Sequence, residues 1–166
     1  MPIVYDKSRK IFHLQAGDTS YIMQIVKEKY LVHLYWGRRI SSYHESRRII
    51  WKDRGFAPNP DASDRTFSLD TLPQEYPQTG NGDFRNPAYG IRQENGSRIS
   101  NLEYIGYEIS DGKPKLPGLP ASSGSKKDVQ TLKVYMEDAV AGLKVWLLYS
   151  VFASESVITR SVIFLN

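Results

Sequence analysis

The fold class is decided by two adjoining stretches, Leu-Lys-Val-Tyr-Met-Glu at residues 132–137 and Leu-Lys-Val-Trp-Leu-Leu-Tyr-Ser-Val-Phe at residues 143–152. In the first stretch Leu132, Val134 and Met136 alternate with more polar residues, which is the period of a strand with one buried face. The second stretch is apolar at nearly every position, as in a strand that is buried on both faces. Ala141-Gly142 turns the chain between them, and a last strand is predicted at residues 157–165.

The same pattern continues towards the N-terminus, because β-branched and aromatic residues recur in short runs between turn signals. Aromatic residues make up 12% of the chain, and this pattern is typical of an all-β, antiparallel β-sandwich of many strands. Further strands are predicted at residues 3–5, 11–14, 20–26, 30–36, 66–69, 88–93 and 99–109.

Residues 19–36 allow two interpretations. Their apolar residues also fall at helical spacing, which would make one amphipathic helix. However, residues 21–26 are rich in β-formers, and Lys27-Glu28-Lys29 makes a plausible hairpin turn. We therefore prefer two strands to one helix.

Two connections lack strand signals. Residues 38–64 are irregular, and Ser42, three residues before Glu45, predicts one capped helical turn there. Residues 111–128 contain three prolines and three glycines, as in a flexible connection. We interpret this stretch as a long surface loop inside a single domain, residues 1–166, because the part beyond it is too short to stand alone.

Composition excludes several classes of protein. No apolar run approaches eighteen residues, so no membrane span is expected, and the first six residues lack the features of a signal peptide. The absence of cysteine excludes disulfides and thiolate zinc sites; a cytoplasmic location fits. The net charge of +4 does not indicate nucleic-acid binding, since the basic residues near Arg38, Arg47 and Lys52 are dispersed.

No motif indicates a metal, a nucleotide or a nucleophile. The three histidines, His13, His33 and His44, do not have the spacing of a metal site. There is no phosphate-binding glycine loop and no Gly-x-Ser-x-Gly elbow. Six carboxylates could in principle serve a glycosidase, which needs a pair of them: Asp53, Asp61, Asp64, Asp70, Glu75 and Asp83. Asp61 and Asp64 lie in turn-rich sequence, and Asp70 is expected on a strand face.

The loop that follows the predicted strand at residues 66–69 carries unusual side chains. Pro73 and Pro77 must interrupt strand pairing, yet residues 76–89 hold Tyr76, Asp83, Phe84, Arg85 and Tyr89. Such groups on a loop form either a binding rim or a connection whose aromatics pack back onto the core. The residues alone leave both possibilities open and do not reveal an activity.

The same region resembles a known family. The segments Phe-Ser-Leu-Asp-Thr-Leu-Pro-Gln-Glu-Tyr-Pro (67–77), Gly-Asp-Phe-Arg-Asn-Pro-Ala-Tyr (82–89) and Arg-Gln-Glu-Asn-Gly-Ser (92–97) closely resemble the N-terminal domain of bacterial α-galactosidases of glycoside hydrolase family 36. Residues 31–37, 112–120 and 158–161 agree with it. Members of this family continue into a large (β/α)8 barrel that is absent from this chain.

The resemblance implies a supersandwich-like fold and a parent enzyme that hydrolyses terminal α-galactosyl residues of melibiose- and raffinose-type oligosaccharides with retention, without metal or nucleotide. Both catalytic aspartates of the family lie in the barrel, so this chain alone is expected to be inactive. The domain is expected to pack on its own barrel, to support a homo-oligomer, expected to be a tetramer, and to lend loop residues to a neighbouring active site. Asp53 would accept hydrogen bonds from sugar hydroxyls, Arg65 would orient Asp53 or donate to the substrate, and Phe56 would wall the pocket.

Two other functions remain open on the sequence. One is a free-standing carbohydrate-binding β-sandwich that uses Tyr76, Phe84 and Tyr89 as a stacking platform. The other is a purely structural oligomerisation domain that binds no ligand.

Overall fold

The computed structural model describes residues 2–44, 49, 51–56, 58–118 and 121–166. Its strands form two four-stranded antiparallel sheets in which every strand pairs with its neighbour in sequence. The first sheet contains β1 (Ile3–Asp6), β2 (Ile11–Ala16), β3 (Thr19–Val26) and β4 (Tyr30–Arg38), and the second contains β5 (Glu103–Asp111), β6 (Val129–Asp138), β7 (Leu143–Phe152) and β8 (Val157–Leu165). The predicted all-β antiparallel sandwich is confirmed.

The hairpin between β3 and β4 settles the ambiguous segment in favour of two strands. Lys27 and Glu28 both adopt left-handed backbone angles, with φ of 52° and 60°. They are the two central residues of a turn that is closed by a hydrogen bond from the Lys29 backbone N–H to the Val26 carbonyl at 3.1 Å, and positive φ at both central positions matches the twist of the flanking strands. A β-bulge follows in this pair between Ile22 and Met23.

The main core lies between the two sheets. One face of the first sheet contributes Phe12, Leu14 and Met23, and the second sheet contributes Leu132 and Val145. All five side chains are completely buried or nearly so. Each apolar side chain buried in this way stabilises the fold by roughly 1.5–3 kcal/mol, so this core holds the two sheets together.

The opposite face of the first sheet is covered by a loop layer, which we define as residues 51–56 and 58–85. Ile22 and Val32 of the sheet pack against Phe67, Leu69 and Leu72 in a second apolar cluster. The loop layer therefore lies on a sheet that is covered on its other face by the main core.

The predicted strand at residues 66–69 is wrong. Phe67 and Leu69 are buried as expected, but the chain forms a 3-10 helix at Leu69–Thr71. The Asp64 carboxylate accepts hydrogen bonds from the backbone and the hydroxyl of Thr66, at 3.0 and 2.6 Å. Such local side-chain bonds compete with a strand ladder. Asp70, expected on a strand face, lies instead in this helix.

Of the two strands predicted at residues 88–93 and 99–109, only the second is found, and it begins later than predicted. Residues 88–93 form no strand, and β5 begins at Glu103. The backbone groups before it bond elsewhere: Ala88 donates to Pro77, Ser100 to Thr79, and Asn101 to the Asp138 carboxylate. Irregular segments that satisfy their donors in this way have no need of a ladder partner.

The proline-rich connection is a loop between two paired strands. Residues 112–118 and 121–128 belong to the connection between β5 and β6. These two strands are antiparallel neighbours, paired from Glu103↔Glu137 to Asp111↔Gln130. The helical turn predicted from Ser42 and Glu45 lies outside the described residues. No helix in the described part of the chain is long and apolar enough to cross a membrane.

Candidate functional site

The loop layer brings together two of the three residues expected to approach a sugar. The Arg65 guanidinium nitrogen Nη2 lies 3.6 Å from Asp53 Oδ1, and the side chains are 73% and 56% exposed. Phe56, three residues after Asp53, has a φ of 61° and its side chain is fully exposed. Left-handed backbone is costly for a residue with a Cβ atom. The loop therefore carries an exposed ion pair and, three residues after Asp53 in the sequence, a strained aromatic residue whose side chain faces solvent.

This loop is anchored to the 3-10 helix. Arg54 Nη2 donates to both Asp70 oxygens, at 2.8 and 3.0 Å, and to Ser68 Oγ at 3.0 Å. The Asn59 amide donates to the backbone carbonyl of Arg65 at 2.9 Å. These contacts anchor the chain directly after Asp53 and at the backbone of Arg65, and they leave those two side chains facing solvent.

Lys27 in the β3–β4 hairpin secures the far end of the loop layer. Its ammonium group lies 2.7 Å from Asp64 and 3.3 Å from Asp61. Hydrogen bonds from Lys27 and Thr66 lower the pKa of Asp64 to about 2. Asp61 and Asp64 are thus engaged in structure, as their turn-rich sequence suggested.

A buried carboxylate organises the turn at residues 80–85. Asp83 is completely buried; it accepts bonds from Arg85 Nε at 2.8 Å, Arg85 Nη2 at 2.7 Å and Gln74 Nε2 at 2.6 Å. Burial would raise the pKa of Asp83, but the bonds from Arg85 and Gln74 hold it below its ordinary value. Arg85 also donates to the carbonyls of Leu69 and Leu72, which ties the turn to the 3-10 helix.

Of the aromatic residues in this loop, two pack back onto the core and one is exposed on the surface. Tyr76 and Tyr89 stack on each other with ring centroids 5.4 Å apart and pack against the main core. Phe84 instead is 77% exposed at the tip of the Asp83 turn, and no ring pair in the described part of the chain includes it. The three rings therefore do not form a joint stacking platform.

The sequence analysis missed a cluster around Glu75. This side chain is 1% exposed, and its carboxylate accepts bonds from the hydroxyls of Tyr21, at 2.7 and 2.8 Å, and Tyr149, at 2.9 Å. Arg160 Nη2 lies 2.8 Å from Oε1, and His33 Nδ1 lies 3.3 Å from Oε2. The spacing of the histidines along the chain gave no sign of this contact, because folding brings His33 and Glu75 together from positions far apart in the sequence.

Backbone pairing explains how Glu75 reaches this position. The backbone N–H of His33 donates to the Pro73 carbonyl at 2.7 Å, and the backbone N–H of Glu75 donates to the Leu31 carbonyl at 3.0 Å. Residues 73–75 therefore pair with the edge of β4. Burial raises the pKa values of Tyr21 and Tyr149, and both hydroxyls therefore remain protonated donors. Burial opposes the charge of Arg160, yet Glu75 raises its pKa above the ordinary value.

The Glu75 cluster forms the floor of a groove of about 670 Å³. We call this the Trp36 groove. It is lined by the start of β3, by His33 and Trp36 of β4, by residues 73–75 and by the start of β8. Trp36 on its rim is 73% exposed. Glu75 is the only carboxylate among the described lining residues, so the groove lacks the pair that glycoside hydrolysis needs.

The described residues contain no group of three or more histidine or acidic side chains placed to hold a metal ion. The described surface does offer chemistry for recognition, in the form of hydrogen-bonding groups and aromatic faces. It is concentrated in the exposed Asp53–Arg65 pair with Phe56, and in the Trp36 groove.

Comparison with known proteins identifies relatives of the whole chain. The α-galactosidase AgaA of Geobacillus stearothermophilus is 47% identical over 100% of this chain and 23% of its own length. The crystal structure of AgaB from the same organism superposes with a TM-score of 0.92 at 47% identity, covering 100% of this chain and 22% of that one.

A structure of an AgaA variant in complex with raffinose matches with a TM-score of 0.89 and 49% identity, over 95% of this chain and 22% of that one. The chain thus spans less than a quarter of the length of these relatives. The model of the glycosyl hydrolase family 36 N-terminal domain matches residues 29–166, and the chain belongs to this family.

Proposed function

We propose that the chain is the N-terminal, non-catalytic part of a cytoplasmic α-galactosidase that removes terminal α-galactosyl residues from oligosaccharides with retention. The support is the identity of 47% to AgaA across the entire chain, together with the raffinose that the AgaA variant binds. In this proposal the catalytic carboxylates are supplied by a (β/α)8 barrel beyond residue 166, against which the sandwich packs.

We also propose that the parent is a homo-oligomer, a tetramer, in which the loop layer of one subunit completes the active site of another. The observation that carries this is the exposed Asp53–Arg65 pair, on the same loop layer as the fully exposed Phe56. An exposed ion pair contributes about 0–1 kcal/mol to stability, so folding gives little reason to hold these side chains in place. A carboxylate, a guanidinium and an aromatic ring are the groups that bind sugar hydroxyls and sugar faces.

The alternative of a free-standing carbohydrate-binding module based on Tyr76, Phe84 and Tyr89 has less support. Tyr76 and Tyr89 already use their faces on each other, which leaves Phe84 without the neighbours that the platform required. A structural domain that only assembles subunits would leave Asp53 without a role in turnover.

The test is Asp53→Ala in the full-length parent. We expect kcat/KM for raffinose to fall at least tenfold, which corresponds to about 1.4 kcal/mol of transition-state stabilisation. The matched control is Glu94→Ala, which removes an exposed carboxylate from a different loop and should leave kcat/KM unchanged. Unchanged kinetics for Asp53→Ala in an intact tetramer, verified by analytical ultracentrifugation, would contradict the proposal.

A further inference from the structure

The Trp36 groove has an exposed aromatic wall that the fold does not use. Trp36 lies two residues before the end of β4 and is 73% exposed, and Val157, which also lines the groove, is 44% exposed. The Tyr21 ring beneath lies 6.5 Å from that of Trp36, centroid to centroid. Exposed apolar surface of this kind, rimmed by polar groups, is a feature of binding sites.

The polar groups on the floor are held in fixed positions. Glu75 binds His33 at 3.3 Å and Arg160 at 2.8 Å, and it is itself fixed by the hydroxyls of Tyr21 and Tyr149. The Arg160 guanidinium also lies over the Tyr149 ring, 5.4 Å from its centroid. Groups that are oriented before binding lose less entropy when a ligand arrives. His33 and Arg160 both remain partly exposed on the groove side.

The charges in the groove indicate a neutral ligand. Arg160 is the one lysine or arginine among the described lining residues, and Glu75 the one acidic residue. They neutralise each other across 2.8 Å. An anion would need an unbalanced cation, which the described groove does not offer.

We propose that the Trp36 groove is a second carbohydrate site, which binds the pyranose ring of a neutral oligosaccharide. The apolar face of the sugar stacks on Trp36, and its hydroxyls exchange hydrogen bonds with His33 and Arg160. The volume of about 670 Å³ lies within the range of small-molecule sites. The residues differ from those of the Asp53–Arg65 pair, so the site does not depend on the loop layer reaching an active site.

The three tryptophans of the chain make the experiment specific. Trp36 reports on the groove, Trp51 on the neighbourhood of Asp53, and Trp146 on the outer face of the second sheet, where it packs against Tyr135. The ¹⁵N-labelled chain is titrated with methyl α-galactoside and with raffinose, and the three indole N–H signals are followed by NMR. We expect saturable movement of the Trp36 signal alone, with a Kd on the order of 1 mM, as suits an open and shallow site.

Variants locate the site and define its ligand. Trp36→Ala, followed through the backbone amide signals of His33 and Arg160 because the Trp36 indole is gone, should abolish binding, and His33→Ala should weaken it about fivefold, the loss of one neutral hydrogen bond. The matched control Trp146→Phe should leave the Kd unchanged, and far-UV circular dichroism verifies the fold of each variant. Galacturonate, which carries a carboxylate, should bind no better than methyl α-galactoside.

Several results would overturn the proposal. These are an immobile Trp36 signal at about 50 mM sugar, where a site of this affinity would be saturated; equal movement of all three signals; movement of Trp51 instead; or an unchanged Kd in Trp36→Ala. In a chain extended to the length of the relatives, protection of Trp36 from iodide quenching without sugar would show that protein occupies the groove, and would also overturn it.

Discussion

Replacing Glu75 by glutamine tests whether the buried cluster fixes the two sheets and the loop layer to each other. The substitution keeps the size of the side chain and removes its charge. The carboxylate now receives two tyrosine hydroxyls, at 2.7 and 2.9 Å, and Arg160 at 2.8 Å. A hydrogen bond to a charged group is worth about 1.5–3 kcal/mol. The cost of about 3–5 kcal/mol for breaking a fully buried ion pair is not reached here, because the Arg160 side chain is 48% exposed and water screens its charge.

We therefore expect Glu75→Gln to lower the free energy of unfolding by about 3 kcal/mol, a large part of the roughly 5–15 kcal/mol typical of a domain. Urea unfolding at pH 7, followed by far-UV circular dichroism, measures it. With an m-value of about 2 kcal/mol/M the midpoint should fall by about 1.5 M.

Two further variants make this measurement decisive. Tyr149→Phe removes one hydroxyl from the same carboxylate and should cost about 1.5 kcal/mol. Glu103→Gln removes the partner of Lys29, whose side chain is 54% exposed, and should cost less than about 1 kcal/mol. If Glu75→Gln costs no more than Glu103→Gln at an unchanged m-value, the cluster does not stabilise the fold in the way argued.

Three other predictions concern activity and the turn at residues 80–85. The purified chain should hydrolyse no aryl α-galactoside; turnover that is abolished by substituting one of its own carboxylates would contradict this. Asp83→Asn should destabilise the chain at pH 7 by about 2 kcal/mol. Because the native pKa of Asp83 is held low, its contribution is present above the unfolded pKa of about 3.9 and is lost as the pH falls further. Urea midpoints of wild type and variant should converge below about pH 4, and a constant gap would exclude the charge as the cause. Gly82→Ala should lower the free energy of unfolding by more than about 2 kcal/mol, since φ is 83° and the new Cβ atom would clash with the Pro58 ring. Gly96 has a φ of 84° and open space around the position of a new Cβ atom, so Gly96→Ala should lower the free energy of unfolding by only about 1–2 kcal/mol. Equal losses for the two variants would show that the Pro58 contact is unimportant.

The strands with regular alternation were predictable from the sequence. β6 and β7 emerge from residues 132–137 and 143–152 with their apolar side chains in the main core. At residues 66–69 the alternation of apolar and polar residues predicted burial correctly, but the backbone forms hydrogen bonds with a side chain instead of with a neighbouring strand. Phe67 and Leu69 are both buried, yet the Asp64 carboxylate bonds Thr66 locally and no ladder forms. Side-chain bonds of this kind depend on geometry that the alternation of residues does not contain.

The candidate site shows the same division. Asp53, Phe56 and Arg65 were named through a family resemblance, and the ion pair between Asp53 and Arg65 fits that assignment without testing it. The Trp36 groove is assembled from strand ends and from residues 73–75, which are far apart in sequence. No short motif spans such a site, so reading along the chain could not reveal it.

One signal for the Glu75 cluster was nevertheless present in the sequence. Tyr149 lies in a stretch predicted to be buried on both faces, and a buried tyrosine hydroxyl usually finds a hydrogen-bond partner. Arg160 lies between Ile158 and Val162 on the same face of the last predicted strand. A cation on an otherwise apolar face requires an anion. The structure places these two residues directly opposite each other on β7 and β8. Both requirements can be met by a single carboxylate, but the sequence contains 18 acidic residues, and only the pairing of residues 73–75 with β4 selects Glu75.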